Sequence, residues 1–240
     1  MRRVERRFYF PDAFAEAMIE LDPEQSLHAS KVLRLGAGDV VSVFDGTGRE
    51  AEFRIESVSN KKVSATFERE IEPDKPESPL AITLAVPILK KSNTETVLRQ
   101  AVELGVSEFV PLLTARSEIP ASRWNQERAL RIAIEASKQC GRAVVPKISA
   151  PQSFEDFVKA APMPGFLFYE SDSDEGLPEK IEGSECTIVT GPEGGWKVEE
   201  IKSASNHGFG IVNFGGRTLR AETAAIAFTS IIQNLFGDIN

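Results

Sequence analysis

The sequence predicts an α/β protein in two parts, a small N-terminal β-barrel followed by a domain with a mainly parallel sheet. Residues 6–68 contain short β-type runs separated by close turns, which is typical of a small barrel. Residues 70–79 hold three prolines among charged residues, which indicates a linker. From residue 80 onward, apolar strand-like runs alternate with helical patterns, the order expected when helices cover both faces of a parallel sheet.

Turn residues and periodicity place the elements of the N-terminal part. Strands are predicted at 6–10, 39–44, 50–58 and 62–68, with a helix at 24–34. Glycines in D-G-T-G at 45–48 allow the positive φ of a hairpin turn, and Asn60-Lys61 joins the last two strands. Gly36 and Gly38 lie between a helix and a strand, which is the wrong order for a nucleotide loop, so a turn is predicted there.

The C-terminal part alternates regularly. Strands are predicted at 80–86, 109–113, 166–169, 186–190 and 211–214, and helices at 92–104, 124–139, 153–160, 197–206 and 222–236. Ser92 and Glu95 have the spacing of a capping box at the start of the first of these helices. Gly105 and Gly141 are predicted to end helices in left-handed caps. The domain ranges predicted from these patterns are 1–72, a linker at 73–79, and 80–240.

Composition excludes several classes of protein. The 240 residues carry 28 basic and 36 acidic side chains, a net charge of -8, which argues against binding to nucleic acid by charge alone. No apolar run approaches the roughly 20 residues of a membrane span. The N-terminus lacks the apolar segment of a secretory signal, and two cysteines make neither a disulfide framework nor a zinc site. A cytoplasmic protein without a metal is therefore expected.

Two glycine-rich loops carry most of the functional information. V-T-G-P-E-G-G at 189–195 and F-G-G-R-T-L-R-A-E-T-A at 214–224 each follow a predicted strand and lead into a helix. The carboxyl ends of parallel strands share one edge of a sheet, where ligands bind. The first loop lacks the spacing and the lysine of a phosphate-binding loop. The second adds a cation, an anion and a hydroxyl at Arg220, Glu222 and Thr223.

The charged and polar residues of the two loops also have purely structural interpretations. Glu193 near a helix start favours the positive end of the helix dipole as readily as it serves in catalysis. Arg220 and Glu222 could form only a surface ion pair, and Thr223 could cap the helix. The two histidines, His28 and His207, have no spacing for a metal site and are predicted to be structural or surface residues.

Basic side chains near the N-terminus are the best candidates for contacts with RNA. They are Arg2, Arg3, Arg6 and Arg7, joined by Lys31 and Arg34. A solvated charge run is the alternative interpretation, with about even weight.

G-P-E-G-G followed about twenty residues later by L-R-x-E-T-A resembles the SPOUT-class methyltransferases, and most of all the RsmE family. The resemblance covers nearly the whole chain. The N-terminal segments that match are Arg7-Phe8-Tyr9, His28-x4-Leu33-Arg34 and Phe44-Asp45-Gly46, and the central ones are residues 100–106 and 139–146.

This resemblance implies a PUA-like N-terminal β-barrel and a SPOUT-type α/β domain with a C-terminal trefoil knot, in a homodimer with its active site at the subunit interface. It implies methyl transfer from S-adenosyl-L-methionine to N3 of a uridine in 16S ribosomal RNA of the small subunit. Arg220 and Glu222 would then be catalytic. The residues implied to bind the cofactor are Thr190, Gly191, Pro192, Glu193, Gly194, Gly195, Phe214, Gly215, Leu219, Arg220, Thr223 and Ala224. Gln139 and Arg142 join the basic residues named above as RNA contacts.

The chain departs from the family pattern at three positions, and alternatives remain open. The family often has lysine where Asn93 and Gln100 stand, and an acidic residue where Lys138 stands. These departures lie near the RNA-facing region, away from the cofactor loops. A related methyltransferase acting on transfer RNA or on another base is one alternative, and a non-catalytic RNA-binding assembly factor is a second. An enzyme acting on nucleotides or sugar phosphates is a third, which the lack of a phosphate loop disfavours.

Overall fold

The computed structural model describes residues 6–59, 62–90, 92–170, 176–213 and 216–239. The chain clusters into two compact units. The first is Met1–Glu77 together with Ile134–Val145, and the second is Ser78–Ala133 together with Pro146–Asn240. Residues 134–145 belong to the first unit, whereas the predicted domain ranges are each one continuous stretch of chain. The ranges 1–72 and 80–240 stay a prediction about domains.

A five-stranded, mostly antiparallel sheet forms the first unit. Its strands are β1 (Arg7–Tyr9), β2 (Met18–Leu21), β3 (Val40–Phe44), β4 (Glu50–Val58) and β5 (Val63–Ile71), in the order β1-β3-β4-β5-β2. Irregularities in the β4–β5 register, beside Phe53 and Ser57, bend these strands. The sheet wraps around a core that includes Phe8, Ile19 and Phe53, all fully buried. The predicted small β-barrel is confirmed in the form of a curled five-stranded sheet, a half-barrel.

The helix predicted at 24–34 consists of two pieces. Helix α1 (Pro23–Leu27) is capped by Asp22, which accepts a 2.8 Å hydrogen bond from the Gln25 backbone. It continues directly into a π-helical turn, His28–Val32. Arg34 follows with φ of 52°, in the left-handed region that non-glycine residues rarely adopt.

The hairpin predicted at 45–48 is confirmed. Strands β3 and β4 are antiparallel neighbours, and Gly46 and Gly48 have φ of 85° and 110°. The join predicted at Asn60-Lys61 lies outside the described residues. Strand β2 was not predicted, because its four residues are too few for a periodic signal.

The second unit is built on a seven-stranded sheet whose recorded pairings are all parallel. Its strands are β6 (Ala81–Pro87), β7 (Glu108–Leu113), β8 (Lys147–Ile148), β9 (Gln152–Ser153), β10 (Gly165–Phe168), β11 (Glu185–Val189) and β12 (Gly210–Val212). The path is β12-β10-β11-β6-β7-β8, with β9 also paired to β7. The predicted mainly parallel sheet is confirmed.

Five helices belong to this alternating part. They are α2 (Asn93–Glu103), α3 (Gln126–Cys140), α4 (Phe154–Ala160), α5 (Val198–Asn206) and α6 (Ala221–Phe236). Helix α3 starts in the second unit and ends in the first. Gly105 and Gly141 follow α2 and α3 with φ of 82° and 91°, as predicted. No helix among the described residues has the length and apolar character needed to cross a membrane.

The capping box predicted at Ser92 is wrong. Ser92 makes no side-chain capping bond, and Glu95 instead forms an ion pair with Arg128 at 2.6 Å. The buried Thr94 hydroxyl accepts a 2.7 Å hydrogen bond from the Leu89 backbone. The Glu95 carboxylate therefore pairs with the Arg128 guanidinium on α3 and does not accept the Ser92 backbone N–H that a capping box would use.

Candidate functional site at the carboxyl edge of the parallel sheet

The loops that leave the parallel strands lie at one edge of the sheet. Because β6, β7, β10, β11 and β12 run in the same direction, their carboxyl ends meet there. Strand β11 lies between β10 and β6, so the loop after it has a neighbouring loop on either side. Residues 190–195 therefore occupy the middle of this edge.

The first glycine loop is anchored at its start and turns sharply at its end. Thr190 donates its backbone N–H to the Ala85 carbonyl at 3.2 Å, which prolongs the pairing of β11 with β6. The Gly195 N–H bonds to the Pro192 carbonyl at 2.9 Å, and Gly195 has φ of 70°. Glu193, Gly194 and Gly195 are exposed, so this turn presents bare backbone to solvent.

Gly191 is required by its neighbour Trp196. A β-carbon at Gly191 would lie 2.9 Å from Trp196 Nε1, closer than real contacts allow. That indole nitrogen donates a 3.1 Å hydrogen bond to the Phe168 carbonyl at the end of β10. The absence of a side chain at Gly191 thus lets a buried tryptophan tie the loop to the adjacent strand.

Thr190 supplies the one buried side-chain polar atom that has no hydrogen-bond partner in the part of the chain that the structure describes. The residue is 0% exposed, and its Oγ1 meets neither a donor nor an acceptor. A buried hydroxyl without a partner is costly, and such groups are found where a ligand or water completes the bonding. The geometry of the loop therefore fits a polar ligand at this edge.

Glu193 is held by the backbone of a neighbouring loop. Its Oε1 accepts a 3.1 Å hydrogen bond from the Lys90 N–H, in the segment that follows β6. Lys90 itself forms an ion pair with Glu118 at 2.7 Å. The structure thus gives Glu193 a role in joining two loops, in place of the helix-dipole interpretation.

The second loop is described from Gly216 onward, so Phe214 and Gly215 lie outside the described residues. Thr218 donates a hydrogen bond to the Glu170 carboxylate, which lies just beyond β10. Leu219 is half-buried and Arg220 is exposed. The second loop is therefore fastened to the same neighbouring strand end that Trp196 contacts.

Arg220 occupies the position immediately before helix α6. Its carbonyl accepts the Ala224 N–H at 2.8 Å, while its extended backbone and its side chain stay outside the helix. Neither Arg220 nor Glu222 has a side-chain partner among residues 6–59, 62–90, 92–170, 176–213 and 216–239. The surface Arg220–Glu222 pair is not formed, and α6 has no side-chain cap from Thr223. Both charged groups are available to a ligand.

Two of the basic residues predicted to contact RNA are buried. Arg7 is 2% exposed and forms a bidentate pair with Glu50 at 3.1 and 3.0 Å, while Arg142 pairs with Glu77 at 2.7 Å. A phosphate cannot reach either guanidinium without breaking its ion pair. The structure therefore corrects the predicted RNA set by removing Arg7 and Arg142 from it.

The other predicted RNA contacts in the described part of the first unit are accessible. Lys31, Arg34 and Gln139 are exposed, and Arg6 pairs with Asp39 at 3.1 Å. The pKa of Asp39 is lowered mainly by the Gly36 backbone N–H, with Arg6 adding to the effect. Arg2 and Arg3 lie outside the described residues.

His28 takes a structural position and His207 an exposed one, in keeping with the predicted structural or surface roles. His28 packs edge-on against Phe8 with ring centroids 6.5 Å apart, and burial, with Lys138 nearby, lowers its pKa. His207 Nδ1 lies 2.8 Å from the Ser203 carbonyl oxygen in the last turn of α5. No group of three or more metal-ligating side chains occurs within the described ranges.

Sequence reasoning missed three residues that shape this edge. Trp196, Arg116 and Glu170 each contact a glycine-rich loop or the strand end beside it. Arg116 and Glu170 follow β7 and β10 within three residues, so their position after a predicted strand was the available signal.

Comparison with known proteins places these features in a family. A model of the RNA methyltransferase domain matches residues 76–233, and a model of the RNA methyltransferase PUA domain matches residues 21–68. Two relatives are both named ribosomal RNA small subunit methyltransferase E. The one from Synechocystis is 34% identical over 89% of this chain and 72% of its own length. The one from Rickettsia conorii is 30% identical over 95% of this chain and 93% of its own.

Solved structures agree with these matches. A methyltransferase from Legionella pneumophila in complex with the cofactor SAM has a TM-score of 0.87 and 33% identity, covering 97% of this chain and 98% of that one. A ribosomal RNA small subunit methyltransferase E from Neisseria gonorrhoeae bound to S-adenosyl methionine has a TM-score of 0.86 and 28% identity, covering 98% and 99%. The predicted PUA-like and methyltransferase-type domains are confirmed.

Proposed function

This chain belongs to the ribosomal RNA small subunit methyltransferase E family, and on that premise we propose that it methylates N3 of a uridine in 16S ribosomal RNA of the small subunit. S-adenosyl-L-methionine is the methyl donor. The observation that carries the proposal is the buried, unpartnered Thr190 hydroxyl beside a bare glycine loop at the carboxyl edge of the sheet. Arg220 and Glu222, which have no side-chain partner among the described residues, lie where the second loop meets helix α6.

The residues present fit the cofactor. Residues 193–195 offer exposed backbone for polar contacts, and Thr190 offers an unused buried hydroxyl. Residues 214–224 would complete the site, with the half-buried Leu219 contributing apolar surface and backbone. When bound, the cofactor supplies an activated methyl group, and the bond-making chemistry belongs to it.

Arg220 is assigned to the uracil. N3 of uracil carries a proton, and its loss leaves negative charge shared with the neighbouring oxygens. A guanidinium that has no partner in the described structure is free to stabilise that charge. Its place outside the first turn of α6 leaves the side chain able to point at a base.

Glu222 is assigned either to accepting the N3 proton or to holding Arg220 in place. It is half-buried in the first turn of α6, two residues from Arg220, with no partner in the described segments. A carboxylate beside a flipped uracil is suitably placed for a general base when it reaches the proton.

The first unit is assigned to the RNA. Because N3 lies on the Watson–Crick edge, the uridine must be unpaired or flipped out. Arg6, Lys31, Arg34 and Gln139 would orient the RNA through its phosphates and sugars. A net charge of -8 makes such local contacts necessary, since the protein as a whole repels nucleic acid.

We propose further that the chain is a homodimer, that its C-terminal part is knotted, and that it acts in the cytoplasm. The dimer is supported by exposed apolar side chains at the end of α6 and just after it, where Leu235 and Ile239 are 54% and 36% exposed. We assign these two exposed apolar side chains to the surface that meets the second subunit.

The direct test is methyl transfer to an assembled particle. The purified protein is incubated with labelled S-adenosyl-L-methionine and small ribosomal subunits from a strain that lacks the modification, and the labelled nucleoside is mapped. We expect N3-methyluridine at one position in 16S RNA. Cofactor binding without transfer would overturn the substrate assignment and direct the same assay to transfer RNA. Failure to bind the cofactor would favour a non-catalytic assembly factor.

A further inference from the structure

The segment after β7, residues 114–117, lies directly against the first glycine loop. Arg116 Nη1 donates a 3.0 Å hydrogen bond to the Gly194 carbonyl. A β-carbon on Gly194 would lie 3.3 Å from Arg116 Cβ and 3.5 Å from its carbonyl oxygen. The two loops are therefore hydrogen bonded and so close that a side chain at Gly194 would crowd Arg116.

This segment is closed on itself. The Thr114 N–H donates to Ser117 Oγ at 3.0 Å, and the Ser117 N–H donates to the Thr114 carbonyl at 3.1 Å. Hydroxyl-to-backbone bonds of this kind fix a turn without neighbouring secondary structure. Arg116 is thus carried by a closed turn at the end of β7.

Glu200 joins the same turn to the chain that leaves the glycine loop. The residue is 5% exposed, and its two carboxylate oxygens accept the Ala115 N–H at 2.8 Å and the Lys197 N–H at 2.9 Å. Lys197 follows Gly195 by two residues. A buried carboxylate satisfied by two backbone donors is a strong connection, because each of its bonds is charge-assisted.

Resting on the proposed function, we infer that Arg116 and Glu200 are positioning residues that hold residues 190–195 in the shape that receives the cofactor. Arg116 fixes the turn from one side through Gly194, and Glu200 fixes its exit through Lys197. A loop that is already ordered before binding loses less conformational freedom on binding. Removal of either side chain therefore weakens cofactor affinity without altering the residues that contact the cofactor.

The test compares two variants with two matched controls. Arg116→Ala removes the bond to Gly194, and Glu200→Gln replaces one acceptor oxygen with an amide nitrogen, which cannot accept a backbone N–H. Arg123→Ala and Glu199→Gln remove the charge of exposed neighbours that have no side-chain partner within the described residues. Binding of S-adenosyl-L-methionine is measured by calorimetry, and unfolding by circular dichroism.

We expect the Kd of Arg116→Ala and Glu200→Gln to rise about three- to tenfold, the range expected for one lost hydrogen bond. The controls should stay within about twofold of the wild type. In turnover assays the KM for the cofactor should rise while the KM for the RNA stays unchanged.

An unchanged Kd in the folded variants overturns the inference, even when their melting temperatures fall, because the two residues then stabilise the fold alone. Because Arg116 is exposed, we expect Arg116→Ala to fold, and its Kd alone tests the inference if Glu200→Gln does not fold. A wild-type protein that fails to bind overturns the proposed function and this inference with it. Wild-type binding together with unaffected variants overturns the inference alone.

Discussion

Trp196 Nε1 donates a 3.1 Å hydrogen bond to the carbonyl oxygen of Phe168, and so fastens the loop after β11 to the end of β10. The Phe168 ring in turn stacks on Phe228 of α6, with ring centroids 3.6 Å apart. One indole therefore links the first glycine loop to the strand whose end also meets the second loop. The shape of the proposed cofactor site depends on this buried contact.

Gly191→Ala should weaken cofactor binding. The added β-carbon would lie 2.9 Å from Trp196 Nε1, so either the loop or the tryptophan must move. Overpacking of this kind costs roughly 1–3 kcal/mol, and we expect about a tenfold or larger rise in Kd. Calorimetric titration with S-adenosyl-L-methionine measures it.

Gly176→Ala is the matched control, because a β-carbon there meets nothing within 4 Å. It should bind like the wild type. Wild-type affinity in Gly191→Ala as well would show that the loop adjusts freely and that Trp196 does not set its shape.

Arg220→Ala should abolish turnover while leaving cofactor affinity largely intact. Among the described residues the Arg220 side chain has no hydrogen-bond or ion-pair partner, so we expect its loss to remove mainly the stabilisation of charge on the uracil. We expect the rate of methyl transfer to fall by roughly two to three orders of magnitude. Single-turnover transfer to small subunits, together with calorimetry, separates the two effects. Normal turnover in this variant would rule out the assignment.

Arg34→Gly should lower RNA affinity without destabilising the protein. Arg34 has φ of 52°, a conformation that costs a non-glycine residue roughly 1–2 kcal/mol and that glycine adopts freely. If the guanidinium binds a phosphate, the slope of log Kd against log salt concentration falls by about 0.7–0.9.

The control for this experiment is Lys75→Ala, which removes one charge from an exposed residue of the same unit. It should leave the salt slope unchanged. Equal slopes for Arg34→Gly and the wild type would exclude Arg34 from the RNA contacts, while a lower melting temperature would show that its side chain supports the fold.

Arg7→Met should destabilise the protein strongly. Arg7 and Glu50 are 2% and 1% exposed, and Arg7 also donates to the Ser137 carbonyl at 3.1 Å. Loss of the cation leaves a buried carboxylate without its partner, which costs about 3–5 kcal/mol. Urea unfolding followed by circular dichroism measures the change.

Arg69→Met supplies the contrast, since Arg69 is 69% exposed in its pair with Glu52. A much smaller shift of the unfolding midpoint is expected there. Equal shifts in the two variants would mean that the Arg7 pair contributes no more than a surface pair.

The raised pKa of the Cys186 thiol should make the free energy of unfolding depend on pH in the alkaline range. Burial raises the pKa of its thiol from 9.0 to about 12, because the thiolate is poorly solvated inside the fold. The unfolded chain thus loses this proton first, so the free energy of unfolding falls as pH rises between 9.0 and about 12. Cys186→Ala should lack this component of the decline when the two proteins are compared across that range. Identical pH profiles would contradict the burial argument.

The sequence by itself determined the fold class and the order of the longer elements, while the short strands β2, β8 and β9 were not predicted. Strands alternate with helices from residue 80 onward, and this order predicted a mainly parallel sheet. The elements could be recognised because apolar periodicity is a local property of the sequence. Glycines that follow β11 and β12 predicted the edge where we propose that a ligand binds. The family motif then predicted Arg220 and Glu222 as catalytic residues, since both motif and charge lie along one continuous stretch of chain.

Only the tertiary structure decided which side chains are free and which are occupied. Arg6 and Arg7 are neighbours in one basic run, yet Arg7 is buried against Glu50, which lies 43 residues further along the chain. Glu95 pairs with Arg128 and does not form the predicted capping box. Arg116 donates a hydrogen bond to Gly194, which lies 78 residues further along the chain. The strength of each contact depends on distance and burial in three dimensions, and local sequence patterns carry no record of either.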